Sequence, residues 1–387
     1  MKLAAAAIVL ACGTAAADPL RLRADAYATT ASPAGLLVLE AGGLARPGLT
    51  AEAVVWMAGE RSPGDDTQGD VLVIAVRARS KTGRVGAQLG RFVATLGAIR
   101  PEHIDGGSLR LRLPAKLDVE AIAGSPVAPM AISRAWDWAA GGRIARRFGD
   151  YGSFGVAYLQ RRDAGRLATE EVGFDAGAAL GKRDDVGARV AYDVANPGVA
   201  EVMVSASHRR GALRTELYGS HRAASHLLPA TSLFSVLGDV PAQRGGTVLT
   251  WRAAPRLDLI ADLAAQRVDT DYGAELVGRA RLRLDERGTS QLGGELRRSG
   301  VGMDAWTGAR ASARIALPRS LVVSSELELV VPDEARGRGT VWPWALGALA
   351  WERGDWTCAV AVEASASPEY RGRVDGLVQL ARRWNPR

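Results

Sequence analysis

Arginine and carboxylate alternate with aliphatic residues across Ser108–Ala121, "SLRLRLPAKLDVEA". Arg110 and Arg112 sit among Leu109, Leu111 and Leu113, and Asp118 and Glu120 follow Leu117 on either side of Val119. A second array, "GRARLRLD", sets Arg279, Arg281 and Arg283 two residues apart with no acid among them. Guanidinium groups repeated in this way can do one of two things. Around a narrow aqueous path they attract anions and repel cations. Opposite carboxylates they form a neutral ionic ladder. The choice rests on the acids that neighbouring segments supply.

Other residue types offer less chemistry. The histidines are His103, His208, His221 and His226. In "GSHRAASH" the last two are five apart, which puts them on opposite faces of a strand and spoils shared metal ligation. Ser220, Ser225 and His226 have the residue types of a hydrolase, but no Gly-x-Ser-x-Gly turn presents a nucleophile. "DGG" at Asp105–Gly107 reads as a loop turn in preference to a calcium loop. "GGR" at Gly141–Arg143 lacks the strand–helix setting of a nucleotide site. The expectation is a non-enzyme with no catalytic residue, no cofactor and no metal.

The elements that position the arginines follow from the period. A helix would smear a period of two around its cylinder, whereas a strand sorts it onto two faces. Folding Ser108–Ala121 at Pro114-Ala115-Lys116 pairs Leu113 with Leu117, Arg112 with Asp118, Leu111 with Val119 and Arg110 with Glu120. The hairpin then has one aliphatic face and one ionic face. The same alternation recurs at 20–28, 70–80, 84–97, 153–162, 186–194, 201–210, 212–222 after a single Gly211, 256–268, 275–285, 309–317, 321–331, 356–367 and 374–384. Turn clusters such as "KRDD", "NPG", "DERGTS" and "ERGD" separate these segments. The chain reads as all-β, built from antiparallel hairpins.

Residues 1–17, "MKLAAAAIVLACGTAAA", have an early lysine, a short apolar run and small residues, the pattern of a cleaved signal peptide. "VLAC" also loosely fits a lipid-attachment box at Cys12. After cleavage Cys358 is the single cysteine, so no internal disulfide forms. No other stretch of about 18 apolar residues exists, which excludes transmembrane helices. The chain carries 45 arginines, four lysines and a net charge of +7. Export, interspersed acids and the lack of a basic run with aromatics argue against nucleic acid as a partner.

A soluble sandwich would show the same alternation. Segments of about 9–12 residues, their number, and the lack of a composition break favour a single antiparallel transmembrane β-barrel over 18–387. At roughly 20 residues per strand and connection, about 16–20 strands are expected. The last strand, Val374–Trp384, should pair with the first to close it. Leu109, Leu111, Leu113, Leu117 and Val119 should meet lipid. Trp342, Trp344, Trp351 and Trp356 suit an interfacial girdle. Trp344 and Trp351 have opposite parity, however, so either a bulge intervenes or one points inward. Two stretches break the pattern, Gly124–Trp138 and Arg222–Gly246. The second could form a surface loop or an inward constriction, with a short helix near "TSLFSVLGD".

Signal peptide, serial hairpins and a closing aromatic strand resemble Gram-negative outer-membrane β-barrels of the porin type. "LGRF" at Leu89–Phe92, with the two segments after it, resembles a unit of porin-like families that include the alginate-exporter type, although Phe92 stands where Gln is usual. "LVQLARRW" resembles the terminal signal read by the barrel-assembly machinery, departing from it in Arg382 and in the trailing Asn385-Pro386-Arg387. The resemblance implies a channel in the cell outer membrane for passive passage of small polar solutes. The lumen-facing candidates are Arg110, Arg112, Asp118, Glu120, Arg279, Arg281 and Arg283. The alternative is a closed or plugged barrel with a structural role in the envelope.

Overall fold

In the computed structural model of the protein, the described residues are 21–384 without 30–33, 47, 61–67, 128–136, 150, 224–241, 269, 302–304, 335–339 and 367–371. The signal peptide, Ser225, His226, the "TSLFSVLGD" segment and the three C-terminal residues lie outside them. Among the described residues the chain forms 22 strands, β1 to β22 in chain order, and each pairs with the next in sequence. β1 (Arg21–Thr29) also pairs antiparallel with β22 (Arg373–Trp384), from Leu22↔Trp384 to Thr29↔Leu377. That pairing closes the sheet into a barrel and removes both edges, as lipid requires.

The strand count exceeds the expected 16–20. The excess comes from the connections. Gly211–Ala212, Pro255–Arg256 and Gly354–Asp355 join strands with two residues each. Gly211 and Gly354 supply the positive φ such turns need. Most of the short turns lie at the end of the barrel where β1 starts and β22 stops, and most of the longer connections lie at the other; the exceptions include the two-residue Ala164–Gly165 turn on the long side and the seven-residue Leu284–Ser290 connection on the short side.

The hairpin of β6 (Glu102–Leu113) and β7 (Leu117–Pro126) has the register read from its alternation: Leu113↔Leu117, Arg112↔Asp118, Leu111↔Val119 and Arg110↔Glu120. Its turn places Ala115 and Lys116 at φ near +60°. The "LPRSL" turn before β19 (Leu321–Pro332) repeats this at Arg319 and Ser320.

The two faces of the wall differ in chemistry. On one, apolar side chains stand in the open: Ile144, Leu296 and Leu327 are 58–64% exposed. Their sequence neighbours on the other face are charged, with Leu327 between Glu326 and Glu328 and Leu296 between Glu295 and Arg297. Large aromatics on the apolar face sit near the strand ends. Phe148, Phe154, Trp251 and Trp356 lie by the short turns, and Trp138, Tyr192 and Tyr272 by the longer connections. This is the layout of two interfacial girdles around an apolar band.

Candidate functional site

The segment read as one strand over Arg84–Gly97 is divided in the structure. β5 (Val85–Ala94) stops at Ala94, and Thr95–Pro101 turns away to pack on the sheet itself. Gly90 allows the bend: its φ is +126°, and a Cβ there would collide with the Ile74 carbonyl. Gly90 is level with Gly106 of β6 and Gly124 of β7, so the weak row crosses three strands. Beyond it Phe92, Leu96, Ile99 and Ile104 are buried together with Ile122 and Leu159.

The bed for this segment is made of small residues on β8 (Trp138–Phe148), β9 (Gly152–Asp163) and β10 (Arg166–Leu180). Ala139, Ala157, Gly141 and Gly173 share one face. A Cβ on Gly141 would sit 3.0 Å from Leu96 Cδ1, and one on Gly173 would sit 2.9 Å from Ile99 Cγ1. Gly97, at φ +57°, wedges between Asp175 and Arg143 with no room for a side chain. A single-layer barrel has nothing outside its wall to bury a residue. Glu171 and Leu159 are only 1% exposed, so this face of β8–β10 is the concave one and the segment fills part of the interior.

Charges lock the segment down. Arg100 Nε lies 3.2 Å from Glu171 Oε1 and 3.7 Å from Glu102 Oε1, and Arg100 also donates to the Thr169 hydroxyl. Arg161 lies 3.6 Å from Glu102 and holds Asp163 through two hydrogen bonds of 2.9 and 3.1 Å. Arg143 grips Asp175 through bonds of 3.0 and 2.5 Å. Such bidentate pairs fix geometry as well as charge. The sequence reading missed Arg100, Glu102, Arg161 and Glu171. The one available signal was the row of small residues on alternate positions of three separate strands, which has meaning only once they are adjacent.

The candidates singled out from sequence fall as follows. Arg110 Nε is 3.1 Å from Glu120, and Arg112 Nε is 3.4 Å from Asp118, which also meets Arg147 at 3.3 Å. Arg279 is paired with Glu295 of β17 (Gln291–Ser299). Arg283 is 3.2 Å from Asp258 of β15 (Leu257–Val268). The acids that the local sequence lacks therefore come from the flanking strands. Arg281 differs: opposite Asp258 and Gly293 in register, it has no carboxylate within ion-pair distance among the described residues. It lines a cavity of about 290 Å³ with Gln291, Ser312, Arg279 and Arg310, and with Glu295 and Glu326, the carboxylates that pair with those two arginines. The ionic rows continue through Arg297, which lies 2.7 Å from Glu295 and 2.5 Å from Glu328, and through the Arg310–Glu326 pair.

Ser220 and His221 stand on opposite faces of β13 (Leu213–Arg222), and Asp105 is engaged by Arg91 at 2.6 and 2.9 Å. The two tryptophans of opposite parity resolve without a bulge, since β20 (Trp342–Arg353) keeps an unbroken register with both neighbours. Trp344 takes the ionic face, where its Nε1 donates to Glu363 at 2.8 Å. Trp351 takes the other face, as does Trp356, which has Arg382 stacked 4.8 Å from its ring centre. The expected girdle thus loses Trp342 and Trp344.

Outside the spanning strands, Asp285 closes its own turn. Desolvation opposes its ionisation, but the hydroxyl and amide of Thr289 and the amide of Ser290 donate to it and hold the carboxyl well below its ordinary value.

No protein-family model matches the sequence, and no curated protein matches it. The fold is similar to that of known outer-membrane barrels. The P pilus usher (PapC) translocation pore aligns with a TM-score of 0.55 at 10% identity, over 95% of this chain and 99% of that one. The siderophore receptor PirA from Pseudomonas aeruginosa aligns with a TM-score of 0.62 at 8% identity, over 95% of this chain and 80% of that one. The chain therefore shares the fold of these barrels, all-β and a single closed antiparallel barrel.

Proposed function

We propose that the protein is a passive outer-membrane channel for small polar solutes. In this reading the apolar face meets the bilayer, and Arg110, Arg112, Asp118, Glu120, Arg279, Arg281 and Arg283 line a wet lumen. One observation carries it. The side chains of Arg110, Arg279 and Arg252 are 48%, 51% and 65% exposed, yet they share the ionic face of the wall with Arg161, which is 8% exposed. A concave surface gives both values only when one side is filled by the Thr95–Pro101 segment and the rest is left to water. The unpaired Arg281 adds a preference for anions.

Residues 1–17 would direct export, and the barrel-assembly machinery would insert the mature chain into the outer membrane. Passage through the lumen calls for no catalytic step and no cofactor. Longer connections lie outside and short turns face the periplasm in such barrels. The filled flank favours a second reading, a closed barrel with a structural role.

Planar-bilayer recording separates the two. The channel reading expects stepwise conductance and a reversal potential on the anion side in a salt gradient. It further expects that Arg279→Glu, Arg281→Glu and Arg283→Glu together move selectivity toward cations. Folded protein without conductance leaves the closed barrel. A conducting barrel whose selectivity ignores the triple change removes these arginines from the path.

A further inference from the structure

We propose that the lumen carries a carbohydrate site near its loop-side mouth, built on Trp342 and Trp344 and shaped for a pyranose ring. The inference deepens the channel reading and takes from it that the ionic face is wet. Tryptophan on the apolar face has a ready physical reason, because an indole suits a lipid–water boundary. Trp342 and Trp344 are on the other face and have no such reason. Both indoles are half-buried, and the part of an indole left to water forfeits burial, so a wetted lumen should keep two of them together only where something partly apolar comes to cover that remainder.

The surroundings say what that is. The two indoles line a cavity of about 380 Å³ together with Arg310, Glu328 and Ser365. Small-molecule sites begin at about this size. Arg310, Glu328, Trp344 and Ser365 follow one another in register across β18 (Trp306–Leu317), β19, β20 and β21 (Trp356–Ser365), so they form a single transverse row. Trp344 is pre-set: Glu363 accepts its Nε1 proton at 2.8 Å, and the Arg310 guanidinium sits 5.8 Å from its ring centre. Glu328 is held by Arg297 through Oε1 at 2.5 Å.

A flat apolar ring face flanked by a carboxylate acceptor, a guanidinium donor and a hydroxyl matches one chemistry. A pyranose offers polarised C–H groups on its ring face and paired hydroxyls at its edge, which donate to carboxylates and accept from guanidinium groups. A simple inorganic anion would use the arginine and have no need of the indoles. A purely apolar solute would leave the charged groups desolvated without partners.

The test is isothermal titration of the folded full-length protein in detergent with three probes: maltotetraose, cellotetraose and chitotetraose. At least one should bind. Trp344→Leu should weaken that binding about tenfold or more. Trp344→Phe, which keeps a smaller ring, should fall between. Trp351→Leu, on the opposite face of the same strand, should bind as the wild type does. Heat-modifiable gel migration reports that each variant is folded, and the phenylalanine variant keeps the test alive if the leucine one is not. Binding of none of the three probes overturns the site, as does binding that survives Trp342→Leu and Trp344→Leu together. Conductance from the same preparation keeps the two ideas apart. A conducting barrel that binds no probe removes only the sugar site, and a barrel that binds but does not conduct removes only the channel.

Discussion

Replacing Arg100 with alanine should weaken the barrel and widen its path. Arg100 and Glu171 are 6% and 1% exposed and 3.2 Å apart, with Glu102 and Thr169 also on the guanidinium. Removing one partner of such a buried pair costs about 3–5 kcal/mol, because the other charge remains buried without compensation. Against that, Leu96 and Ile99 are 2% and 3% exposed. Full burial of each contributes about 1.5–3 kcal/mol, or roughly 3–6 together. The two magnitudes are nearly equal, so the segment should be left close to balance between its seat and the lumen. Unfolding in urea with lipid vesicles should report the lost stability. Bilayer recording should report a larger or more frequently fluctuating conductance. Adding Glu171→Gln should return much of the stability, because replacing both partners removes the stranded charge. An Arg100→Ala protein with unchanged stability and conductance would refute the reasoning. So would a double variant no more stable than the single one.

Leu111→Arg should destabilise the folded barrel by about 2–4 kcal/mol if that position lies near the bilayer midplane, whereas Arg110→Leu should change conductance and leave stability nearly intact; both are read by the same unfolding and recording assays. Cysteines at Ala26 and Leu380, register partners across the closing seam, should be joined by a short bis-maleimide, and a failure in folded protein would place the two strands at open edges. The Asp285 carboxyl should titrate below the ordinary aspartate range. Its depressed value means that the turn's extra stability is present above the unfolded-state pKa and is lost only as pH falls through the folded one. Carboxyl chemical shifts across a pH series check this, and a midpoint at the ordinary value refutes it.

What the sequence determined by itself was local. Strict alternation has one solution, a strand with two unlike faces, and the charge reversal across Pro114–Lys116 set the register of β6 and β7 residue by residue. The all-β class, the closed barrel and the seam between first and last strands follow from repeating that solution where open edges are not tolerated. The number of strands did not follow, because it depends on how little chain each turn needs, and an allowance of roughly 20 residues per strand and connection overstates the length where two residues suffice. The charge balance of "GRARLRLD" was equally out of reach. Glu295 and Asp258 reach Arg279 and Arg283 from adjacent strands, and Arg281 is left over because Asp258, its register partner, pairs with Arg283 and Arg252 while the other side of its row offers glycine and serine. The face taken by Trp344 needed the unbroken register of β20. The inward segment was least legible of all. Thr95–Pro101 reads as the tail of a strand and an ordinary loop. Its destination is set by alanines and glycines on β8, β9 and β10, which become a bed only when curvature brings three strands under one seven-residue connection. Period and charge act between neighbours in the chain, whereas filling a concave interior is settled between residues that only the closed barrel brings together.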